Sequence, residues 1–97
     1  MSITVVVEMK AKPGQVDALR ERLSSDLPGT RARPGCESVT VHQDQDSPET
    51  IVLIEQWASR QHQLDYLAWR QGQGDIERFL ALLDGPGPIR YLDYLGA

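Results

Sequence analysis

Ninety-seven residues, 40% hydrophobic and 25% charged, make one soluble globular domain and leave no room for two. A net charge of −4 with ten scattered basic residues gives no stripe to follow a phosphate backbone, which excludes a nucleic-acid partner. One cysteine excludes an internal disulfide framework, two histidines without a Cys pair leave no zinc constellation, and no apolar run is long enough to span a membrane.

Ile3 to Lys10 is rich in Val and alternates loosely, which predicts a strand covered on both faces near its start. No basic region or long apolar run precedes it. No signal peptide is expected, and a cytoplasmic protein is the default expectation. Pro13 suits the first turn of a helix, where its missing N–H costs nothing. Val16, Leu19, Leu23 and Leu27 then recur at helical spacing among Asp17, Arg20, Glu21 and Arg22, an amphipathic helix with one buried stripe. Pro28-Gly29 is expected to stop it, and Thr30 to Gly35 to connect to the second strand.

Cys36 to Gln43 alternates, with Glu37, Val39 and Val41 on one face and Cys36, Ser38, Thr40 and His42 on the other. The polar turn Asp44 to Pro48 closes a β-hairpin with Ile51 to Trp57, whose nearly unbroken apolar run reads as a central strand. Ser59 is placed to cap a second helix. That helix is expected to bury Leu64, Leu67 and Ala68. His62, Tyr66 and Trp69, spaced 4 and 3 apart, share the opposite face. Two large rings are poorly placed in solvent, so a partner subunit, the third helix or a ligand is expected to cover them. Gly72 and Gly74 break this helix. Ile76, Phe79, Leu80 and Leu83 form the stripe of a third helix, Gly85-Pro86-Gly87-Pro88 is a turn, and Ile89 to Leu95 is a last strand.

The order β-α-β-β-α-α-β over residues 1–97 is an α+β, ferredoxin-like split βαβ plan with a four-stranded antiparallel sheet. Helices cover one face of such a sheet. The other face still carries apolar residues, and a second copy of the chain is the simplest cover: a homodimer through the sheet face.

Lys12-Pro13-Gly14, Thr30-Arg31, Pro34-Gly35-Cys36 and Glu55-Gln56-Trp57-Ala58-Ser59, at these spacings, resemble the antibiotic biosynthesis monooxygenase family over nearly the whole chain. The resemblance implies a dimeric α+β barrel. It also implies an enzyme that oxidises aromatic polyketides or quinols with O₂ and uses no cofactor: no metal, flavin or haem. The electron-rich substrate itself reduces oxygen once it is bound and deprotonated. Other members of the family degrade haem. The family's strand-three Trp maps onto Trp57. Its helix His, nine residues on, is replaced here by Tyr66. The haem-degrading relatives use that His and an Asn, and the polyketide monooxygenases also use an Asn. This chain contains no Asn, which argues against haem degradation.

Each candidate site residue has a structural alternative. Trp57 is read as a pocket wall that stacks on an aromatic substrate, or as a core Trp. His42 is a candidate base for a phenol, or a solvated histidine beside the Asp44–Asp46 turn. Tyr66 and His62 are candidates to bind or deprotonate a hydroxylated ring, with Trp69 and Phe79 beside them; packing is the alternative. Arg31 and Arg33 are candidates to pair with a carboxylate or enolate, or are solvated. Cys36 reads as a small buried hydrophobe. Glu55, inside an apolar strand, is expected in a structural ion pair, with a general-base role as the alternative. The expected function is a cofactor-independent monooxygenase acting on a small phenolic, quinol or polyketide-type aromatic substrate. The alternatives are a non-catalytic dimeric small-molecule-binding module and an isomerase or cyclase on the same scaffold.

Overall fold

A computed structural model describes residues 2–97. The elements follow the expected order: β1 (Ile3–Lys10), α1 (Val16–Arg31), β2 (Cys36–Gln43), β3 (Thr50–Trp57), α2 (Arg60–Gln71), α3 (Ile76–Leu80) and β4 (Ile89–Leu92). The four strands form one antiparallel sheet in the order β2-β3-β1-β4, the ferredoxin-like arrangement. Each central strand therefore pairs on both edges, which suits the Val- and Ile-rich runs of β1 and β3.

The register sorts side chains into two faces. One face carries Ile3, Val5, Val7 and Met9 of β1, opposite Trp57, Glu55, Leu53 and Ile51 of β3. Tyr91 and Ile89 of β4 extend the same rows. Leu19, Leu23 and Leu27 of α1 close over this face with Val39 and Leu83 to make the core. Burying such a leucine contributes roughly 1.5–3 kcal/mol, which drives the layer together. The opposite face carries Thr4, Val6, Val52, Ile54, Gln56 and Leu92. No described helix covers it, and Ile54 and Leu92 remain exposed.

Several local expectations need correction. Pro13 lies before α1, not in its first turn, because Gly14 takes a left-handed φ of 78° and the helix starts at Val16. Pro28 does not stop α1, which runs on to Arg31. Only the bond to the Ser24 carbonyl is lost, and Ser24 is exposed, so water can serve that carbonyl. A β-bulge between Cys36 and Ser38 makes Glu37 the extra residue. Cys36 therefore packs against the core on the same side as Val39 instead of facing away with Ser38. Strand β4 ends at Leu92, so Tyr94 and Leu95 lie beyond it and are exposed. Helix α3 is a single short turn of five residues, and Leu80 faces out.

Helix α2 is rotated from its expected setting. Gln63 is buried, Tyr66, Leu67 and Arg70 are half-buried, and Leu64 and Ala68 are exposed. Ser59 caps it as expected, accepting from the His62 N–H. Within the chain, both rings meet polar partners from the α1 side. Tyr66 bonds to Thr30 near the end of α1, and the Arg33 guanidinium lies 4.4 Å over the Trp69 ring.

Gly35 holds the entry to β2 with a left-handed φ of 82°, and a Cβ there would overlap the His62 ring. Gly14 has a similar φ but open space around it. Gly35→Ala should therefore cost roughly 2–4 kcal/mol and Gly14→Ala only about 1. Urea denaturation of the two variants measures the difference, and equal losses would show that the His62 contact yields freely.

Candidate functional site

A cavity of about 110 Å³ lies between the helix-facing side of the sheet and the three helices. Val7, Met9, Leu53 and Ile89 form its floor, and Leu23, Leu27, Leu67, Ile76 and Phe79 its walls. Its scale compares with engineered apolar cavities of roughly 150 Å³ that take up benzene. Polar groups reach it at few points: Glu55 from the sheet, Gln63, Tyr66 and Arg70 from α2, and Asp26 and Asp75 at the α1–α3 side.

Glu55 is the central polar group. It is only 4% exposed. Among the described residues no cation pairs with it; its one side-chain partner is the Trp57 indole N–H, which donates to Oε1 at 2.8 Å. Burial pushes its carboxyl pKa up, and the indole hydrogen bond offsets this in part. Within the chain, a neutral donor stands where an ion pair is expected. The chemistry is that of a carboxyl that holds its proton more tightly than an exposed glutamate and, once ionised, is the stronger base.

The α2 groups are tied in place. Tyr66 packs against Trp57 with ring centroids 5.4 Å apart and planes tilted by 34°, and its hydroxyl lies 2.9 Å from the Thr30 hydroxyl. Arg70 donates to Thr30 Oγ1 at 3.1 Å and to the Asp26 carbonyl at 3.2 Å. Arg22 bridges Asp26 at 3.0 Å and Asp75 at 2.7 Å, which pins α1 to the start of α3. Gln63, 1% exposed, accepts from the Tyr91 hydroxyl at 2.7 Å.

The predicted site residues divide into three groups. Tyr66 and Phe79 line the cavity. Trp57 is fully buried and supports the site through Glu55 and Tyr66 without lining it. The remaining four lie elsewhere. His42 sits exposed on the uncovered sheet face with its Nε2 2.8 Å from the Thr40 hydroxyl. His62 Nδ1 is 2.7 Å from the Ser59 hydroxyl. Trp69 packs between Arg33 and Arg70. Arg31 donates to the Val39 carbonyl at 2.9 Å, outside the cavity. The structure thus does not bring His42 and Tyr66 to one site. Burial, and after it the nearby Glu55 charge, push the Cys36 thiol pKa up, which disfavours the thiolate.

Gln63, Arg70, Asp26 and Tyr91 were not singled out from the sequence. A signal for two of them exists: Gln63, Tyr66, Leu67 and Arg70 stand at i, i+3, i+4 and i+7, a complete helical face. No cluster of potential metal ligands occurs among the described residues. No described helix is long and apolar enough to cross a membrane.

A one-sided ferredoxin-like sheet with an apolar cavity and a buried carboxyl under its helices defines a scaffold of the α+β class. The antibiotic biosynthesis monooxygenase family matches residues 2–81, and the chain belongs to that family. Solved structures agree. The fold is similar to a putative antibiotic biosynthesis monooxygenase from Chloroflexus aurantiacus, with TM-score 0.78, 28% identity, and coverage of 100% of this chain and 96% of that one. It is also similar to a conserved protein from Methanosarcina mazei Go1, with TM-score 0.82, 21% identity, and coverage of 94% and 90%. A putative antibiotic biosynthesis monooxygenase from Bordetella bronchiseptica gives TM-score 0.80 at 16% identity, with 97% of each chain covered. The comparison with curated proteins gave no match.

The raised pKa of Glu55 has a thermodynamic consequence. The folded state binds a proton there that the unfolded state has already released, so stability is full at low pH. It falls as pH rises from the ordinary glutamate range through the raised native value. Thermal melts across this window should show wild type losing stability relative to Glu55→Gln, whose neutral amide does not titrate. Parallel curves for the two proteins would place the Glu55 pKa at its ordinary value.

Proposed function

We propose that this chain is a cofactor-independent monooxygenase that binds a phenolic or quinol ring in the cavity under its helices. The observation that carries the reading is Glu55: a buried carboxyl, free of cation partners among the described residues, on the wall of an apolar cavity in a member of this family. Two structural relatives bearing the name of putative monooxygenases support it.

The ionised Glu55 accepts the proton of the bound ring, whose electron pair becomes available for transfer to O₂. Recombination places O₂ on the ring carbon as a hydroperoxide. Loss of water then leaves one oxygen atom as a new carbonyl and releases the other as H₂O. Phe79, Leu67 and Ile76 keep bulk water from the reduced oxygen, and the Tyr66 hydroxyl offers a hydrogen bond to a ring substituent. Leu80 faces out, and Trp57 is not a lining residue, so neither plugs the cavity. This favours an occupied site over a vestigial one.

Oxygen uptake with a panel of anthrones, naphthols and quinols tests the reading. Protein-dependent uptake is expected for at least one, and Glu55→Gln should lower it by about 10²–10⁴-fold. Absence of uptake with every member would remove the monooxygenase.

The same reading makes the working unit a homodimer. Val6, Val52, Ile54 and Leu92 lie on a sheet face that the chain itself leaves uncovered, and a second copy buries them. Sedimentation should give twice the 10.9 kDa chain mass at micromolar concentration, and Ile54→Lys should shift it to one. A wild-type monomer would sink this interface.

A further inference from the structure

Gln63 is a fully buried amide that the packing alone does not explain. It is 1% exposed, yet an apolar residue would fill its place on α2 without needing a partner. The Tyr91 hydroxyl donates to its Oε1 at 2.7 Å. That bond decides which end of the amide is free. The carbonyl end is taken, and the Nε2 end has no hydrogen-bond partner among the described residues although Gln63 lines the cavity. Tyr91 is itself held, with the Arg60 guanidinium 3.8 Å above its ring.

The sheet register relates this donor to Glu55. Val5 of β1 pairs with Glu55 of β3 on one side and with Tyr91 of β4 on the other. Glu55, Val5 and Tyr91 thus form one row across the helix-facing side of the sheet. Neighbouring strands lie about 4.8 Å apart, so the row spans roughly 10 Å, the scale of a ring with its substituents. An acceptor stands at one end of the row. At the other, Tyr91 holds the carbonyl end of the Gln63 amide, and Gln63 lines the cavity. The walls between are apolar.

We propose that Gln63, oriented by Tyr91, anchors a carbonyl oxygen in this cavity, and that with Glu55 it makes the site an enolising centre for cyclic ketones carrying an acidic C–H. Glu55 as carboxylate removes the proton from the carbon next to the carbonyl. The C–H electron pair forms the C=C bond, and the C=O π pair moves to oxygen, where the Gln63 N–H stabilises the developing charge. Return of the proton from Glu55 to carbon or to oxygen completes exchange or tautomerisation, with no change of oxidation state. This deepens the monooxygenase reading, on which it rests for the cavity and for Glu55, because a keto substrate must enolise before it can reduce O₂.

The test separates the two. Deuterium incorporation into 2-indanone, 2-tetralone and 1-indanone is followed by NMR in D₂O under argon, with wild type, Glu55→Gln, Gln63→Met and Tyr91→Phe. Wild type should accelerate exchange for at least one ketone. Glu55→Gln should abolish the acceleration, and Gln63→Met should lower it by about 10²–10³-fold, as removal of an oxyanion donor does. Tyr91 is a positioning residue. Tyr91→Phe should lower the rate on the order of tenfold, as a misplaced group does, while leaving the pH profile set by Glu55 unmoved. Should Gln63→Met fail to fold, the wild-type Gln63 side-chain amide resonance reports instead: it should shift on ketone addition. No acceleration with any of the three ketones, acceleration that Gln63→Met leaves intact, or an unshifted amide would each overturn the proposal. Exchange under argon without oxygen uptake in air keeps this inference and removes the monooxygenase. Oxygen uptake that Gln63→Met leaves intact does the reverse.

Discussion

The Trp57 indole N–H must find an acceptor inside a core that offers almost none, and it finds Glu55 two residues back on the same strand face, at 2.8 Å. A fully buried indole and a carboxyl that is 4% exposed would each be costly alone. Together they settle one another, and the rest of the site is arranged around the result. The ring of Trp57 gives Tyr66 a surface to pack against. That contact accompanies the rotation of α2 that brings Gln63, Leu67 and Arg70 to the cavity. The indole hydrogen bond leaves a carboxyl with a raised pKa on the cavity wall.

The helices are held to one another by polar contacts at the rim of this space. Thr30, fully buried, joins Tyr66 and Arg70, and Arg22 joins Asp26 and Asp75. Net hydrogen bonds of this kind contribute about 0.5–1.5 kcal/mol each. They fix α1, α2 and α3 relative to the sheet without filling the gap beneath. The volume of about 110 Å³ beneath them is lined mostly by apolar side chains.

The architecture was legible in the chain because it rests on long, strongly patterned runs. The Val-rich β1, the Leu stripe of α1, the hairpin from Cys36 to Trp57 and the Ser59 cap all lie where the pattern puts them. What went astray was local. Pro28 reads as a stop, but its position in the last turn loses only one bond to an exposed carbonyl. The Cys36 face reads by strict alternation, and one bulge residue inverts it. The inner face of α2 reads as Leu64, Leu67 and Ala68 because aliphatic residues are the usual markers of burial. The Tyr91 hydroxyl donates to Gln63 and the Tyr66 hydroxyl bonds to Thr30, and these bonds favour this face over the burial of Leu64 and Ala68.

By itself the sequence determined the order of elements, the one-sided sheet, the family and the presence of Trp57 beside Glu55, since these follow from periodicity, turn residues and short-range spacing. Only the tertiary structure decided which polar residues meet. His42 and Tyr66 look equivalent as candidate bases along the chain, yet the pleat sends His42 to the uncovered face while the rotation of α2 turns Tyr66 into the cavity. Tyr91 and Gln63 are 28 residues apart, and no local pattern links them. Their bond exists because β4 pairs with β1 beneath α2, and strand pairing across such distances is set by the packing of the whole domain.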